Sequence, residues 1–192
     1  FMGSHVADKM LRSGYEVVGI DNLIGGYRSN VPYGVEFYEE DLGNLQKIEP
    51  IFRGVDLVVH AACTAYEGLS VFSPSLVTRN TSHITVTSLT ASVINGVQKF
   101  IFMSSMARYG KQETLPFTED MEPRPQDPYG ISKYCSELLI RNICETHELE
   151  YAILVPHNII GPRQKYDDPF RNVASIMVNR MLQGKQPIIY GD

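Results

Sequence analysis

The sequence predicts an α/β protein whose mainly parallel sheet is covered by helices on both faces. Strand and helix signals alternate along the chain, which is the pattern of repeated strand–helix–strand units. The predicted strands are apolar throughout, as is expected when both faces of a sheet are buried. Polar residues directly follow several of these strands, and ligands of such sheets bind beyond the carboxyl ends of the strands. We therefore expect a binding site along that edge.

The predicted elements follow one another in a regular order. Apolar residues at helical spacing predict a first helix over residues 4–12, which Gly14 ends. Short apolar runs predict strands over residues 16–21, 35–38, 55–60, 99–103 and 151–155. Residues 187–192 are predicted to form a strand that runs into a turn. Further helices are predicted over residues 45–52, 81–94, 128–147 and 170–182. Asp127 is expected to cap the helix over residues 128–147, because it precedes a proline at the first helical position.

Composition excludes several classes of protein. The 192 residues are 43% hydrophobic and 20% charged, which is typical of globular domains and not of disordered or fibrous chains. No apolar run approaches the roughly 18 residues that cross a bilayer. The net charge of −5 offers no basic surface for nucleic acid or an anionic membrane. The odd set Cys63, Cys135 and Cys144 lacks C-x-x-C spacing, so we expect no metal site and a reducing, cytoplasmic compartment.

Tyr129 and Lys133 are the first candidates for catalysis, because their spacing puts both on one helix face. A phenol with a pKa near about 10 is a poor base at neutral pH, but a nearby cation favours the phenolate. Ser105, with Ser104, directly follows a predicted strand, and its hydroxyl could bond the same substrate oxygen as Tyr129. A solvated Tyr–Lys pair and a serine pair that simply ends a strand remain the alternatives.

Two residues suggest where a dinucleotide would bind. Asp21 ends a predicted strand, where its carboxylate could accept hydrogen bonds from both hydroxyls of an adenosine ribose. A 2′-phosphate there would meet like charge, so NAD is favoured over NADP, and a plain turn-forming role is the alternative. Gly3 could be the last glycine of a phosphate-binding fingerprint, which allows a helix to pack closely on a strand. That strand would precede Phe1, and we expect the sequence to be an internal piece of a longer protein.

These motifs, taken in order, extend over essentially the whole chain. They are Gly3-Ser4-His5, Asp21-Asn22-Leu23, Asp41-Leu42, His60-Ala61-Ala62, Asn80, Ser104-Ser105 with Tyr109-Gly110, Tyr129-Gly130-x-Ser132-Lys133, and Asn158 with Gly161-Pro162-Arg163. Together they resemble the extended short-chain dehydrogenase/reductases, and within them the NAD-dependent nucleotide-sugar epimerase/dehydratase family. The UDP-sugar 4-epimerases fit the pattern best.

The resemblance implies a Rossmann-type, doubly wound sheet that is truncated at both ends. Residues 1–160 would form the NAD-binding domain, without most of its first strand and glycine-rich loop, and residues 161–192 the start of a small substrate lobe. Tyr129 would be the catalytic base, Lys133 would bind the nicotinamide ribose and lower the tyrosine pKa, and Ser105 would share the proton relay.

The resemblance also implies which residues bind the cofactor and the substrate. The residues along NAD would be Gly3, Asp21, Asn22, Asp41, Leu42, Ala61, Ala62, Asn80, Ser104, Tyr129, Lys133 and Pro156. Ser105, Tyr129 and Asn158 would contact the nucleotide sugar. We expect the neighbouring histidines, His60 and His157, to have packing roles.

The implied reaction is transient oxidation at sugar C4 by tightly bound NAD, with hydride returned on the other face. The 4,6-dehydratases of the family have an Asp-Glu pair after the catalytic Ser/Thr, but this chain has Met106 and Ala107, which cannot transfer protons. Epimerisation is therefore favoured over dehydration. Another NAD-dependent sugar-nucleotide oxidoreductase stays open, as does a catalytically silent NAD sensor, although the chain keeps Tyr129 and Lys133.

The helix over residues 128–147 predicts a homodimer. A helix lying on a sheet needs only about 100° of apolar surface, and this one is apolar around most of its circumference. Its apolar residues are Ile131, Tyr134, Cys135, Leu138, Leu139, Ile140, Ile143 and Cys144. We expect the surplus to pack against a second subunit, and deeper burial within its own chain is the alternative.

Overall fold

The computed structural model describes residues 1–167 and 173–189, and its five strands are short. They are β1 Val18–Ile20, β2 Glu36–Tyr38, β3 Leu57–His60, β4 Lys99–Met103 and β5 Glu150–Leu154. Within this part of the chain, β1 pairs with β2, and β4 lies between β3 and β5. Every one of these pairings is parallel. The predicted α/β class with a parallel sheet is confirmed.

The helices separate the strands as expected, with one difference in extent. They are α1 Met2–Arg12, α2 Leu45–Ile48, α3 Glu67–Ser70, α4 Pro74–Thr78, α5 Ile84–Ile94, α6 Pro128–Thr146 and α7 Val173–Leu182. A π-helical segment, Arg79–His83, joins α4 to α5. Helical structure thus begins at Pro74 and not at residue 81, because Pro74 at the first helical position starts it.

Two predictions near the end of the chain have a mixed outcome. The helix predicted over 170–182 is observed from Val173, and residues 170–172 lie outside the described residues. The strand predicted over 187–192 is not observed at residues 187–189, and the rest of it also lies outside the described part.

The main core lies between β4 and the helices α5 and α6. It contains the buried side chains of Phe100, Phe102, Leu89, Ile140 and Cys144. These residues come from distant parts of the sequence, and their burial is what fixes α6 against the sheet.

The two histidines expected to have packing roles differ. His60 is buried and stacks on the rings of Phe100 and Phe102, and its Nε2 lies 3.0 Å from Thr85 Oγ1. Burial, and next the charge of Lys133, lower the pKa of His60 to about 3, so the ring is neutral at pH 7. The prediction is confirmed for His60. It is wrong for His157, which lies exposed in the loop after β5.

Burial of strands β1 and β3 is incomplete, contrary to the sequence expectation. Val18 of β1 is 40% exposed, and Leu57, Val58 and Val59 of β3 are only partly buried. Among the described residues, β1 and β3 each have a paired neighbour on one side only. An apolar strand with one free edge keeps part of its surface accessible.

The predicted cap of α6 is observed, and it also ties the helix to α3. Asp127 Oδ1 accepts hydrogen bonds from Tyr129 N at 2.9 Å and Gly130 N at 3.0 Å, and Ser70 Oγ donates to it at 3.2 Å. Asp127→Ala is expected to reduce the free energy of unfolding by about 1–2 kcal/mol, because the first-turn amides lose their acceptor. Urea denaturation measures this loss, with exposed Glu113→Ala as the control. An unchanged free energy for Asp127→Ala would contradict the capping role.

Candidate active site

The cleft of interest lies at the carboxyl ends of the strands and has a volume of about 450 Å³. Every site residue predicted from the sequence lines it, with the exception of Gly3. The residues concerned are Asp21, Asn22, Asp41, Leu42, Ala61, Ala62, Asn80, Ser104, Ser105, Tyr129, Lys133, Pro156 and Asn158. Gly3 is exposed, and a Cβ added there would meet no heavy atom within 4 Å. The strand expected to pack against it would precede Phe1, so the role of Gly3 stays a prediction.

Tyr129 lies in the first turn of α6 and is 7% exposed. Ser105, which follows β4, and Cys63, which follows β3, line the cleft together with Tyr129, and both contribute to the pKa of its hydroxyl. The structure therefore brings Ser105 and Tyr129 together as the sequence predicted. Cys63 was missed, although it follows β3 at the same edge of the sheet, where polar residues are expected to reach the cleft.

The pKa of Tyr129 differs from the sequence expectation. Burial raises it well above its usual value, the charge of Cys63 and that of Glu67 raise it further, and the hydrogen bond from Ser105 lowers it in part. Lys133 was expected to lower it, but Lys133 Nζ lies 6.0 Å from the centroid of the Tyr129 ring. Burial of the phenol thus outweighs the cation, and the expected depressed pKa is wrong for this chain as described.

Lys133 is a buried cation, 1% exposed, one helical turn after Tyr129. Its Nζ donates to Met103 O at 2.6 Å, at the end of β4, and lies 4.8 Å from the centroid of the Phe102 ring. An ammonium group has three donors, so hydrogens remain for a ligand in the cleft. A buried, incompletely used cation that lines a cleft is typical of a functional site.

Ser104 lines the cleft, but its side chain does not point into it. Its hydroxyl is buried and donates to Glu137 Oε1, inside the protein. Consecutive side chains of an extended segment point to opposite sides. Ser105 therefore faces Tyr129 while Ser104 faces the interior.

Asp41 and Asn80 line the cleft but also form bonds within the protein. Asn80 donates to Thr64 Oγ1 at 3.1 Å and accepts from Arg79 Nη1 at 2.9 Å. Asp41 accepts from Gly43 N at 2.7 Å and pairs with Arg79 Nη2 at 3.0 Å. Partial burial raises the pKa of Asp41, but the bond from Gly43 and the Arg79 guanidinium outweigh it and hold that pKa below its usual value. Both side chains are therefore fixed before any ligand binds.

Asp21 and Asn22 are exposed at the end of β1. Asp21 Oδ1 accepts from Leu23 N at 2.7 Å, and Asn22 Oδ1 accepts from Ile24 N at 3.3 Å. The turn-forming role of Asp21 is thus observed. A carboxylate has two oxygens, so the second one remains available for a ligand.

The turn after Ser105 lies very close to α6. It consists of the 3₁₀ segment Met106–Arg108, and a Cβ added at Gly130 would be 2.7 Å from Ala107 O. Only glycine at position 130 allows this approach without displacing the turn. This approach holds Met106 and Ala107 beside the first turn of α6, which carries Tyr129. The 4,6-dehydratases have their Asp-Glu pair at these two positions.

The cleft brings together side chains from several segments of the chain. Its lining includes exposed Asp21, the small residues Ala61 and Ala62, and the buried Lys133 and Tyr129. The described residues contain no group of three or more His, Cys, Asp or Glu residues that could hold a metal ion. None of the helices in this part of the chain is long and apolar enough to span a membrane.

Cys63→Ala is expected to lower the pKa of Tyr129, because the thiol raises that pKa through both its charge and its hydrogen bond. A lower pKa means more phenolate at a given pH, so the acidic limb of the kcat/KM profile, which a general base governs, should move to lower pH. Ultraviolet difference titration against Tyr129→Phe measures the pKa directly. The control is Cys135→Ala, an exposed cysteine of α6. A Tyr129 pKa that rises or stays constant in Cys63→Ala would contradict the assigned contact.

A parallel α/β sheet with Ser, Tyr and Lys gathered at its carboxyl edge defines the class of the short-chain dehydrogenase/reductases. The chain belongs to the NAD-dependent epimerase/dehydratase family, whose model matches residues 1–192. The predicted family and Rossmann-type fold are confirmed, and so is NAD as the family's cofactor.

Known relatives agree with this assignment. The UDP-glucose 4-epimerase of Streptomyces lividans is 33% identical over 201 residues, which cover 100% of this chain and 60% of that protein. A crystal structure of UDP-glucose 4-epimerase from Thermotoga maritima with UDP-glucose matches this chain with a TM-score of 0.95 and 34% sequence identity. The match covers 100% of this chain and 63% of the Thermotoga chain. The structure of a dTDP-glucose 4,6-dehydratase from Streptomyces venezuelae with NAD bound matches with a TM-score of 0.91 and 28% sequence identity. That match covers 100% of this chain and 62% of the dehydratase chain. The chain therefore spans less than two thirds of each of these proteins.

Proposed function

We propose that the protein is a UDP-sugar 4-epimerase that works with tightly bound NAD. The observation that carries this proposal is that Tyr129 and Ser105 line the same cleft, and that Met106 and Ala107 follow Ser105 in the adjoining turn. A phenol is thus placed to exchange a proton with a sugar hydroxyl, but the turn offers no acid pair for elimination of water.

The proposed cofactor residues all line the cleft, which supports an assignment of each to one part of NAD. Asp21 and Asn22 would hold the adenosine ribose, and Asp41 with Leu42 the adenine. Ala61, Ala62, Asn80 and Pro156 would line the middle, and Lys133 would donate to the nicotinamide ribose. Bound NAD would supply a hydride acceptor at sugar C4 and return the hydride in the second half of the reaction.

The proton chemistry belongs to Tyr129. Its buried hydroxyl would take the proton of the sugar 4-hydroxyl, and Ser105, which lines the same cleft, would orient the same oxygen. Stabilisation of the phenolate by Ser105 opposes the effect of burial on the pKa of Tyr129. Asn158, exposed at the mouth of the cleft, would bind the sugar nucleotide near its phosphates.

Product analysis tests this proposal. The full-length protein is incubated with UDP-glucose without added NAD, and we expect the C4 epimer with no net NADH. Tyr129→Phe is the matched control and should give only a trace of the epimer. A 4-keto-6-deoxy product would instead assign the protein to the dehydratases. Protein that binds NAD but converts none of a panel of UDP-sugars would support the silent sensor.

We also propose that the protein is a homodimer. Ile131 and Leu138 of α6 remain 52% and 50% exposed, and Cys135 between them is exposed as well. Phe72, at the start of the neighbouring α4 region, is 83% exposed. Apolar surface of this kind is typical of an interface. Light scattering that gives a monomer mass at micromolar concentration would overturn this proposal.

The remaining assignments concern organisation and location. We propose an NAD-binding domain over residues 1–160 and the start of a substrate lobe over 161–192, supported by the absence of buried residues in α7. A cytoplasmic location is supported by the three cysteines, which are free. The acidic net charge of −5 supports a protein that does not bind nucleic acid or anionic membranes.

A further inference from the structure

A buried carboxylate that the proposed chemistry does not use lies behind the site. Glu137 is 0% exposed and stands on α6, one turn after Lys133 and two turns after Tyr129. Its Oε1 accepts from Ser104 Oγ, and its Oε2 lies 2.9 Å from Arg108 Nη1. Burying a carboxylate is costly, so this arrangement needs a reason beyond filling space.

The two partners of Glu137, Ser104 and Arg108, lie on either side of Ser105 in the sequence. Ser104 directly precedes Ser105, and Arg108 is the last residue of the 3₁₀ segment that follows it. One carboxylate of α6 therefore holds both ends of the segment 104–108, which we call the serine turn. The side chain of Arg108 is only 11% exposed, and its guanidinium lies 4.9 Å from the centroid of the Tyr109 ring. The turn is thus fixed to the same helix that carries Tyr129.

Net stability is a weak explanation for this ion pair. Replacing a buried ion pair by apolar residues is often neutral or stabilising, because desolvation cancels much of the attraction. A stronger explanation is that the ion pair holds reacting groups in place, since a misplacement of about 1 Å can lower the rate about 10²-fold. Glu137 joins the two chain segments whose separation sets the Ser105–Tyr129 bond.

We propose that Glu137 is a positioning residue that fixes the serine turn on α6 and so sets the alignment of the Ser105 and Tyr129 hydroxyls. This inference rests on the proposed function. Glu137 touches neither substrate nor cofactor in it, and acts through Ser104 and Arg108.

A double-mutant cycle in the full-length, NAD-loaded protein tests the proposal. E137Q keeps the shape of the side chain but loses its charge, and we expect kcat for UDP-glucose to fall about tenfold with KM within about twofold. S104A, a milder change, should reduce kcat less. In S105A/E137Q we expect kcat close to that of S105A, because Glu137 acts on the residue already removed. Effects of S105A and E137Q that simply multiply would overturn the proposal.

Two controls separate positioning from loss of stability. I140V removes one methylene from the core on the same helix, and E145Q makes the same chemical change at an exposed position of α6. We expect I140V to lower Tm with kcat unchanged, and E145Q to change neither. If I140V reduces kcat as much as E137Q at an equal loss of Tm, the role of Glu137 is only structural.

Fluorine NMR gives a readout independent of activity. In protein labelled with fluorotyrosine, the Tyr129 signal is the one that Tyr129→Phe removes. We expect E137Q and S104A to shift it and E145Q to leave it in place. An unshifted signal in both E137Q and S104A overturns the positioning role. Wild-type protein that converts no UDP-sugar overturns the proposed function instead, and the NMR result still decides whether Glu137 positions Tyr129.

Discussion

Replacing Tyr129 by phenylalanine is expected to lower kcat for UDP-sugar epimerisation by about 10²–10⁴-fold. The ring and its packing are kept, but the hydroxyl that bonds Ser105 and Cys63 is lost. A bound sugar would then have no phenol to take its 4-hydroxyl proton. Steady-state kinetics on the NAD-loaded, full-length protein measures the effect, and KM should change little because the loss falls on the chemical step.

Two comparisons make this result specific. Tyr151→Phe removes a hydroxyl that lies 3.2 Å from Glu145 Oε1, far from the cleft, and should leave kcat unchanged. Ser105→Ala should cost less than Tyr129→Phe, because a water molecule can partly replace an orienting hydroxyl. A Tyr129→Phe protein with near wild-type kcat would remove Tyr129 from the mechanism and with it the proposed role of Ser105.

Lys133→Met is expected to reduce kcat/KM by about 10²–10³-fold, the range seen when one preorganised donor is removed from a site. Methionine is a flexible apolar side chain of similar length, so burial is preserved while the bond to Met103 O is lost. NAD affinity should fall at the same time, because the proposed ribose contact is gone. Because the cation is 1% exposed, its removal also eliminates a buried charge, and Tm should not fall.

The measurement combines calorimetric NAD titration, thermal unfolding and kinetics on the same protein. Lys47→Met is the control, since Lys47 is an exposed lysine that pairs with Glu40 away from Tyr129. If Lys133→Met loses Tm and activity together while NAD binding is unchanged, Lys133 has a structural role and not the proposed one.

The sequence by itself determined the order and class of the elements. Strand β4 has the predicted bounds, and α6 begins directly after its N-cap, Asp127, as predicted. Both predictions succeed because apolar runs and helix caps depend on only a few neighbouring residues. The same locality identified Tyr129 and Lys133 as a pair, since helical spacing alone places them on one face. The extent of the helix before residue 81 was missed, although Pro74 is a local signal.

Only the tertiary structure decided the environment of these groups. The pKa of Tyr129 is raised because the side chain is buried and lies near Cys63, from the segment after β3, and Glu67, from α3. Ser104 faces Glu137, which follows it by 33 positions in the sequence, so no local pattern could separate its role from that of Ser105. The exposure of His157 and the burial of His60 likewise depend on distant residues. Spacing along the chain predicts which side chains share a face, but burial and charge at a site are sums over segments that only folding brings together.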